Sequence, residues 1–206
     1  MADNLKLTAV DAPPPLPRRK TQNRAWLVLG IVIAAPFIIW TILSITGVVK
    51  NYQIPSSAMS PAINPGDMIY VEKITYWFRP PERNEIIAFE VNEILDMQDH
   101  FPTTIYTFRV VGLPGDEISI DNDQLLVNGE PCQLTPEPNP VAFQHQAKYP
   151  SSAKNLYTVP EGSYFVLGDN LGNSNDSRMW GSVHKRHLRG KIWFRYWPPD
   201  RFGAVE

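Results

Sequence analysis

Ser56, Ser57 and Ser60 cluster just beyond a long uncharged stretch. A serine hydroxyl attacks a carbonyl only when a nearby base takes its proton. Bases are scarce in this chain. Lys73 lies downstream of the serines, Arg109 stays protonated at ordinary pH, and His100, His145, His184 and His187 stand at no recognised spacing from a serine and are expected on the surface. His184 and His187 can share a helical face, but no carboxylate clusters with them, so a metal site is not expected. The single cysteine, Cys132, allows neither an intramolecular disulfide nor a cysteine-rich metal site and reads as a buried structural thiol. No glycine loop suited to phosphate appears, so no cofactor is implied. The run from Gly168 to Gly181 holds turn formers, Asx side chains and charge, with Asp169, Ser174, Asp176 and Arg178 close together. Such a run can brace a loop through its own side chains.

The elements that position these residues come from composition and pattern. Of 206 residues 43% are hydrophobic and the formal charge is -2, which gives no sign of a disordered or nucleic-acid-binding protein. Twenty prolines disfavour long helices and favour short strands and corners. One stretch stands apart. Residues 25–49 carry no charge and are long enough to cross a bilayer as a helix, with Pro36 tolerable there and Trp26 at the interface. Arg18, Arg19, Lys20 and Arg24 precede it and only Lys50 follows closely, so the positive-inside rule leaves residues 1–24, a proline-rich tail, in the cytoplasm. No small-x-small cleavage site follows convincingly, which favours an uncleaved anchor over a signal peptide.

Residues 50–206 read as one β-rich extracytoplasmic domain. Strands are expected at 68–71, continuing through Ile74, Tyr76 and Phe78, and at 86–91, 105–111, 117–120, 125–127, 164–167 and 191–196. Turn chemistry separates them at Pro65-Gly66-Asp67, Leu113-Pro114-Gly115-Asp116, Asn128-Gly129 and Pro160-Glu161-Gly162. A sheet or barrel follows, with residues 132–150 as a long insertion loop.

Three segments of this domain, in order, resemble the sequence boxes of type I signal peptidases, membrane-bound serine proteases that remove leader peptides from exported proteins. They are Ile54 to Pro61 followed by Gly66-Asp67, Phe108 to Asp116, and Gly168 to Gly181. The resemblance implies a mostly β, signal peptidase I-like domain on one N-terminal transmembrane helix. A single anchor resembles the Gram-positive, cyanobacterial and plastid forms, so the compartment implied is the periplasm, the cell exterior or the thylakoid lumen.

The resemblance also implies a mechanism, in which a serine attacks the scissile carbonyl and a lysine kept neutral by burial takes its proton. The nucleophile position, just before the methionine of the first box, holds Ala58, and the base position, just before the arginine of the second, holds Phe108. Neither side chain can do the chemistry. The rest of the frame matches: Ser56 and the Ala58 amide for the oxyanion hole, Ser174 for the residue that orients the lysine, and Arg109 with Asp169 and Asp176 with Arg178 as bracing charged pairs. Read as an extended strand, the first box turns Ser57 away from the face of Ala58.

The expectation is therefore an inactive, membrane-anchored homologue that binds peptide or protein partners. Two alternatives stand beside it: an active peptidase with Ser57 or Ser60 as relocated nucleophile and Lys73 as base, and a docking subunit of a membrane protein complex.

Overall fold

The computed structural model describes residues 19–90, 105–121, 124–132, 148–150 and 156–205. His100, His145, most of the expected 132–150 loop and residues 1–18 lie outside that set. Two compact units make up the chain, Met1–Leu43 and Ser44–Glu206.

The first unit is built on one helix, α1 (Arg19–Ile45). Its segment Arg24–Ile45 spans 22 residues with a mean hydropathy of 2.5. At 1.5 Å per residue this is roughly 33 Å, enough to cross a hydrocarbon core. Trp26, Ile31, Val32, Phe37 and Ile38 are all exposed and point several ways around the axis, as on a helix whose solvent is lipid. Pro36 removes an amide from the backbone ladder, and one turn on the Thr41 hydroxyl donates to the Phe37 carbonyl at 2.8 Å. The helix stops at Ile45, and Val49, the last residue of the uncharged stretch, opens a strand.

The second unit is β-rich. In chain order its strands are β1 (Val49–Gln53), β2 (Met68–Glu72), β3 (Ile86–Glu90), β4 (Ile105–Gly112), β5 (Glu117–Asp121), β6 (Gln124–Val127), β7 (Glu130–Pro131), β8 (Tyr157–Thr158), β9 (Ser163–Leu167), β10 (Val183–His184), β11 (Leu188–Trp197) and β12 (Gly203–Ala204). Two short helices, α2 (Thr75–Phe78) and α3 (Ser177–Trp180), interrupt them. The larger sheet runs β1-β2-β11-β3-β4-β9-β10, with β12 against β11, and the smaller runs β7-β6-β5-β8. Every pairing is antiparallel. Of the two architectures expected, the described strands of the larger layer form a sheet with β1 and β10 at its ends.

Each sheet has its own core. Ile69, Val71, Ile87, Phe89, Phe108, Val110, Val166 and Ile192 bury one face of the larger sheet together with Met59 and Ile63. Val111, Ile118, Leu125, Val127, Phe165, Leu167 and Leu171 fill the second core. β4 and β9 feed both, because alternate residues of a strand point to opposite faces. The Asn128-Gly129 pair joins β6 to β7 with φ of 56° and 81°, the doubly positive turn that Asn-Gly favours. Cys132 is half-buried at the edge of the second core, less covered than expected, and burial pushes its thiol pKa up.

One expected strand is corrected. β2 stops at Glu72, and Tyr76 and Phe78 lie in α2, not in an extended continuation; Ile74 is its N-cap, with helical φ and ψ. The Glu72 carboxylate accepts from the Thr75 amide at 3.0 Å and its hydroxyl at 2.5 Å, a local cap that outweighs the β-branched and aromatic composition.

Beneath α2 the Glu85 carboxylate joins three elements. It accepts from Arg79, from Lys191 at 2.7 Å and from the Tyr76 hydroxyl at 3.2 Å. Burial pushes its pKa up, but the hydrogen bonds from Arg79 and Lys191 win and hold it at about 2, below an ordinary 4.5. A carboxyl depressed in the folded state adds stability above its unfolded pKa and loses it as pH falls toward the folded one. Glu85→Gln is therefore expected to cost on the order of 1–2 kcal/mol at pH 7, allowing for solvent screening. The deficit should close between about pH 4.5 and 2, as read by thermal unfolding of both proteins in detergent across that range.

Candidate functional site

After β1 the chain does not continue as a strand. Residues 57–63 coil through successive turns, with the Ser60 amide on the Ser57 carbonyl at 3.1 Å and the Ile63 amide on the Met59 carbonyl at 2.8 Å. Contrary to the extended strand expected, no pleat relates the Ser57 and Ala58 side chains. Met59 and Ile63 are buried beneath the turns and fix them to the core. The Asp67 carboxylate accepts from the Asn64 amide at 2.8 Å and closes the loop ahead of β2.

A groove of about 360 Å³ opens beside these turns. Ile54, Pro55, Ser56 and Ala58 form one wall, and Ile105, Tyr106, Thr107 and Phe108 of β4 form the other, with Asn173 and Asn175 also lining it. Ala58 and Phe108, far apart in sequence, therefore meet at one cavity. Phe108 is only 2% exposed, its ring centroid 6.0 Å from Phe89, 5.9 Å from Tyr106 and 6.4 Å from Trp180. That aromatic cluster fills the space beneath the groove with apolar carbon and puts no titratable atom at position 108. Ser56 is exposed and borders the same groove.

The loop after β9 packs against the serine segment. The Asn170 amide donates to the Ala58 carbonyl at 3.0 Å, and its side chain donates to the Ser57 carbonyl at 3.1 Å. The Asn173 side chain donates to the Ser57 hydroxyl at 2.8 Å. Gly168 permits this approach, because a Cβ there would collide with the Ala58 carbonyl and the Ser174 hydroxyl.

Charge braces the loop from behind. Arg109 holds Asp169 in a two-pronged pair at 2.8 and 2.7 Å, both side chains buried, and donates to the Asn84 carbonyl at 2.9 Å. Asp176, fully buried, accepts from Arg178 at 2.8 and 3.0 Å, from the Ser174 hydroxyl at 2.7 Å and from the Gly168 amide at 3.1 Å. The Ser174 proton therefore goes to Asp176.

Other candidates lie elsewhere. Lys73 lines a second cavity with Tyr76, Trp77 and Arg189, so it is not brought to the groove beside Ala58. Neither Ser57 nor Ser60 lines the groove. His187 is buried, contrary to the surface expected, and its Nε2 accepts from Arg186 at 3.0 Å. His184 is half-buried, its ring centroid 6.5 Å from that of His187. Among the described residues no third histidine, cysteine or carboxylate joins them into a metal-binding group. Asn170 and Asn173 contribute groove-side hydrogen bonds that residue reasoning missed, although the Asx-rich Gly168 to Gly181 run was their signal.

The described residues thus form a β-rich domain that follows an apolar N-terminal helix, with a groove between the turn segment 57–63 and β4. The model of the family described as signal peptidase, peptidase S26, matches residues 24–197, and the chain belongs to that family. It is 35% identical over 160 residues to a signal peptidase I of Leptolyngbya laminosa, covering 78% of this chain and 74% of that protein. A probable signal peptidase I-2 of Synechocystis is 35% identical over 89% of this chain and 78% of its own length. A signal peptidase IB of Staphylococcus aureus is 33% identical over 84% and 90%. The crystal structure of a signal peptidase I from Enterococcus faecalis aligns with a TM-score of 0.41 at 28% identity, over 55% of this chain and 97% of that one.

Proposed function

We propose that this chain is a catalytically silent signal peptidase homologue, anchored by α1 with its N-terminus in the cytoplasm, whose groove binds an extended peptide without cutting it. The observation that carries the reading is the pairing of Ala58 and Phe108 at one groove. If these are the family's nucleophile and base positions, no hydroxyl is available for attack and no amine for proton transfer. Ser56, the Ala58 amide and Ser174 then form the remaining site frame, and the pairs Arg109–Asp169 and Asp176–Arg178 hold it in shape.

Binding without chemistry has a physical basis in the sheet. β3 pairs with β4 from Ile105 to Arg109, whereas β9 pairs only from Arg109 onward. Over residues 105–108 the side of β4 away from β3 thus has no strand partner among the described residues, and these same residues line the groove. An extended peptide can add there as a strand, its backbone held by hydrogen bonds and its small side chains set against Ile54, Ala58 and Phe108. Arg18, Arg19, Lys20 and Arg24 ahead of the uncharged stretch 25–49, against only Lys50 close behind it, support the topology.

The test is a binding measurement. A fluorescent peptide ending in a small-x-small signal-peptide motif should bind the detergent-purified full chain saturably and be recovered intact by mass spectrometry. Groove filling by Ala58→Trp should weaken binding at least tenfold. No binding at all would sink the peptide-binding version.

A further inference from the structure

The second cavity, about 430 Å³, is walled by Lys73, Tyr76, Trp77, Arg79, Lys185 and Arg189 among others, a volume typical of small-ligand sites. Four of these six carry positive charge. Arg79 is neutralised by Glu85 and Glu82, and Arg189 by Glu90. Lys73 and Lys185 have no carboxylate partner among the described residues. Glu72, next to Lys73 in sequence, is occupied in capping Thr75. Two ammonium groups thus line one cavity with no carboxylate partner among the described residues, and an anion is the ligand that complements their charge.

Beside the cavity, Trp77 is 63% and Phe78 83% exposed, adjacent on the short α2. A tryptophan and a phenylalanine next to basic side chains are the composition of a lipid interface, where rings sit among head groups and cations meet anionic lipid. The chain path agrees. The Lys73 amide donates to the Val48 carbonyl at 3.0 Å, and Val48 lies three residues past Ile45, the end of α1. Three residues reach at most roughly 10 Å.

We propose that this cavity takes the phosphate of an anionic lipid head group, with Trp77 and Phe78 set into the same leaflet. The inference rests on the reading of α1 as a membrane anchor. The phosphate would lie between the Lys73 and Lys185 ammonium groups, and Tyr76 and Trp77 would face the glycerol and ester region.

Dihexanoyl phosphatidylglycerol, dihexanoyl phosphatidylcholine and inorganic phosphate, each titrated by calorimetry into the full chain in non-ionic detergent, test this. The anionic lipid should bind saturably and at least tenfold more tightly than either of the others. Lys73→Gln with Lys185→Gln should weaken it roughly tenfold to thirtyfold, with circular dichroism unchanged. Trp77→Ser, which leaves both lysines, should weaken the lipid and leave inorganic phosphate as it was. Equal affinity for the two lipids, unchanged affinity in the double variant, or phosphate binding as tightly as the lipid would each overturn the proposal. Carbonate extraction of membranes carrying the chain tests the anchor separately, since release there would remove the anchor reading while the detergent titration still decides the cavity.

Discussion

If the chain is silent as proposed, Ala58→Ser combined with Phe108→Lys should yield a protein that cleaves a preprotein at a small-x-small site, while either substitution alone should not. Loss of a serine nucleophile together with its base costs on the order of 10⁴ to 10⁶ in rate in other serine proteases, and the gain should be of that order. The reason to expect a gain lies in what surrounds the two positions. The Asn170 amide already holds the Ala58 carbonyl at 3.0 Å, and Ser56 borders the groove. A lysine at 108 would replace the Phe108 ring within the apolar cluster of Phe89, Tyr106 and Trp180, a setting that lowers an amine's pKa and keeps it a base. Ser174, now donating to Asp176, would turn its oxygen's lone pairs to the new amine. The single variants supply a nucleophile without a base, or a base with nothing to activate.

The second large effect concerns stability. Arg109→Ala leaves the Asp169 carboxylate, fully buried, without its two-pronged partner. Breaking such a buried pair costs about 3–5 kcal/mol, because the remaining charge stays desolvated. For a chain of this size that lowers the melting temperature by on the order of 10 °C. Arg109→Met with Asp169→Leu should recover much of the loss, since neither charge is then stranded. Far-ultraviolet circular dichroism melts in detergent read both. A change of under 1 kcal/mol in the single variant would show that the pair does not brace the loop.

Much of this fold is legible in residue pattern. The cores of β2, β3, β4, β5, β9 and β11 alternate or run apolar in the sequence, and turn residues such as Asn128-Gly129 separate them. The two-residue strands β7, β8, β10 and β12 are too short to carry a period, and they exist only because a longer neighbour offers an edge. α2 is hidden for a different reason: Ile74, Tyr76 and Phe78 have strand-like composition, and a side-chain cap from Glu72 decides against it. At the site, the meeting of Ala58 with Phe108 depends on β-sheet order, which no local pattern encodes, so family resemblance alone could anticipate it. Conversely, Lys73 looked available as a base in one dimension. It lines another cavity because β2 carries it away from the turns that hold Ser57 and Ser60.

Catalytic silence is tested most directly by incubating the unmodified, detergent-purified full chain with a preprotein carrying a small-x-small site and following mature product by mass spectrometry. No product above a protein-free control is expected over a period in which the Ala58→Ser, Phe108→Lys variant yields it. Product from the unmodified chain, abolished by Ser57→Ala or Ser60→Ala, would contradict it and assign the chemistry to a relocated serine.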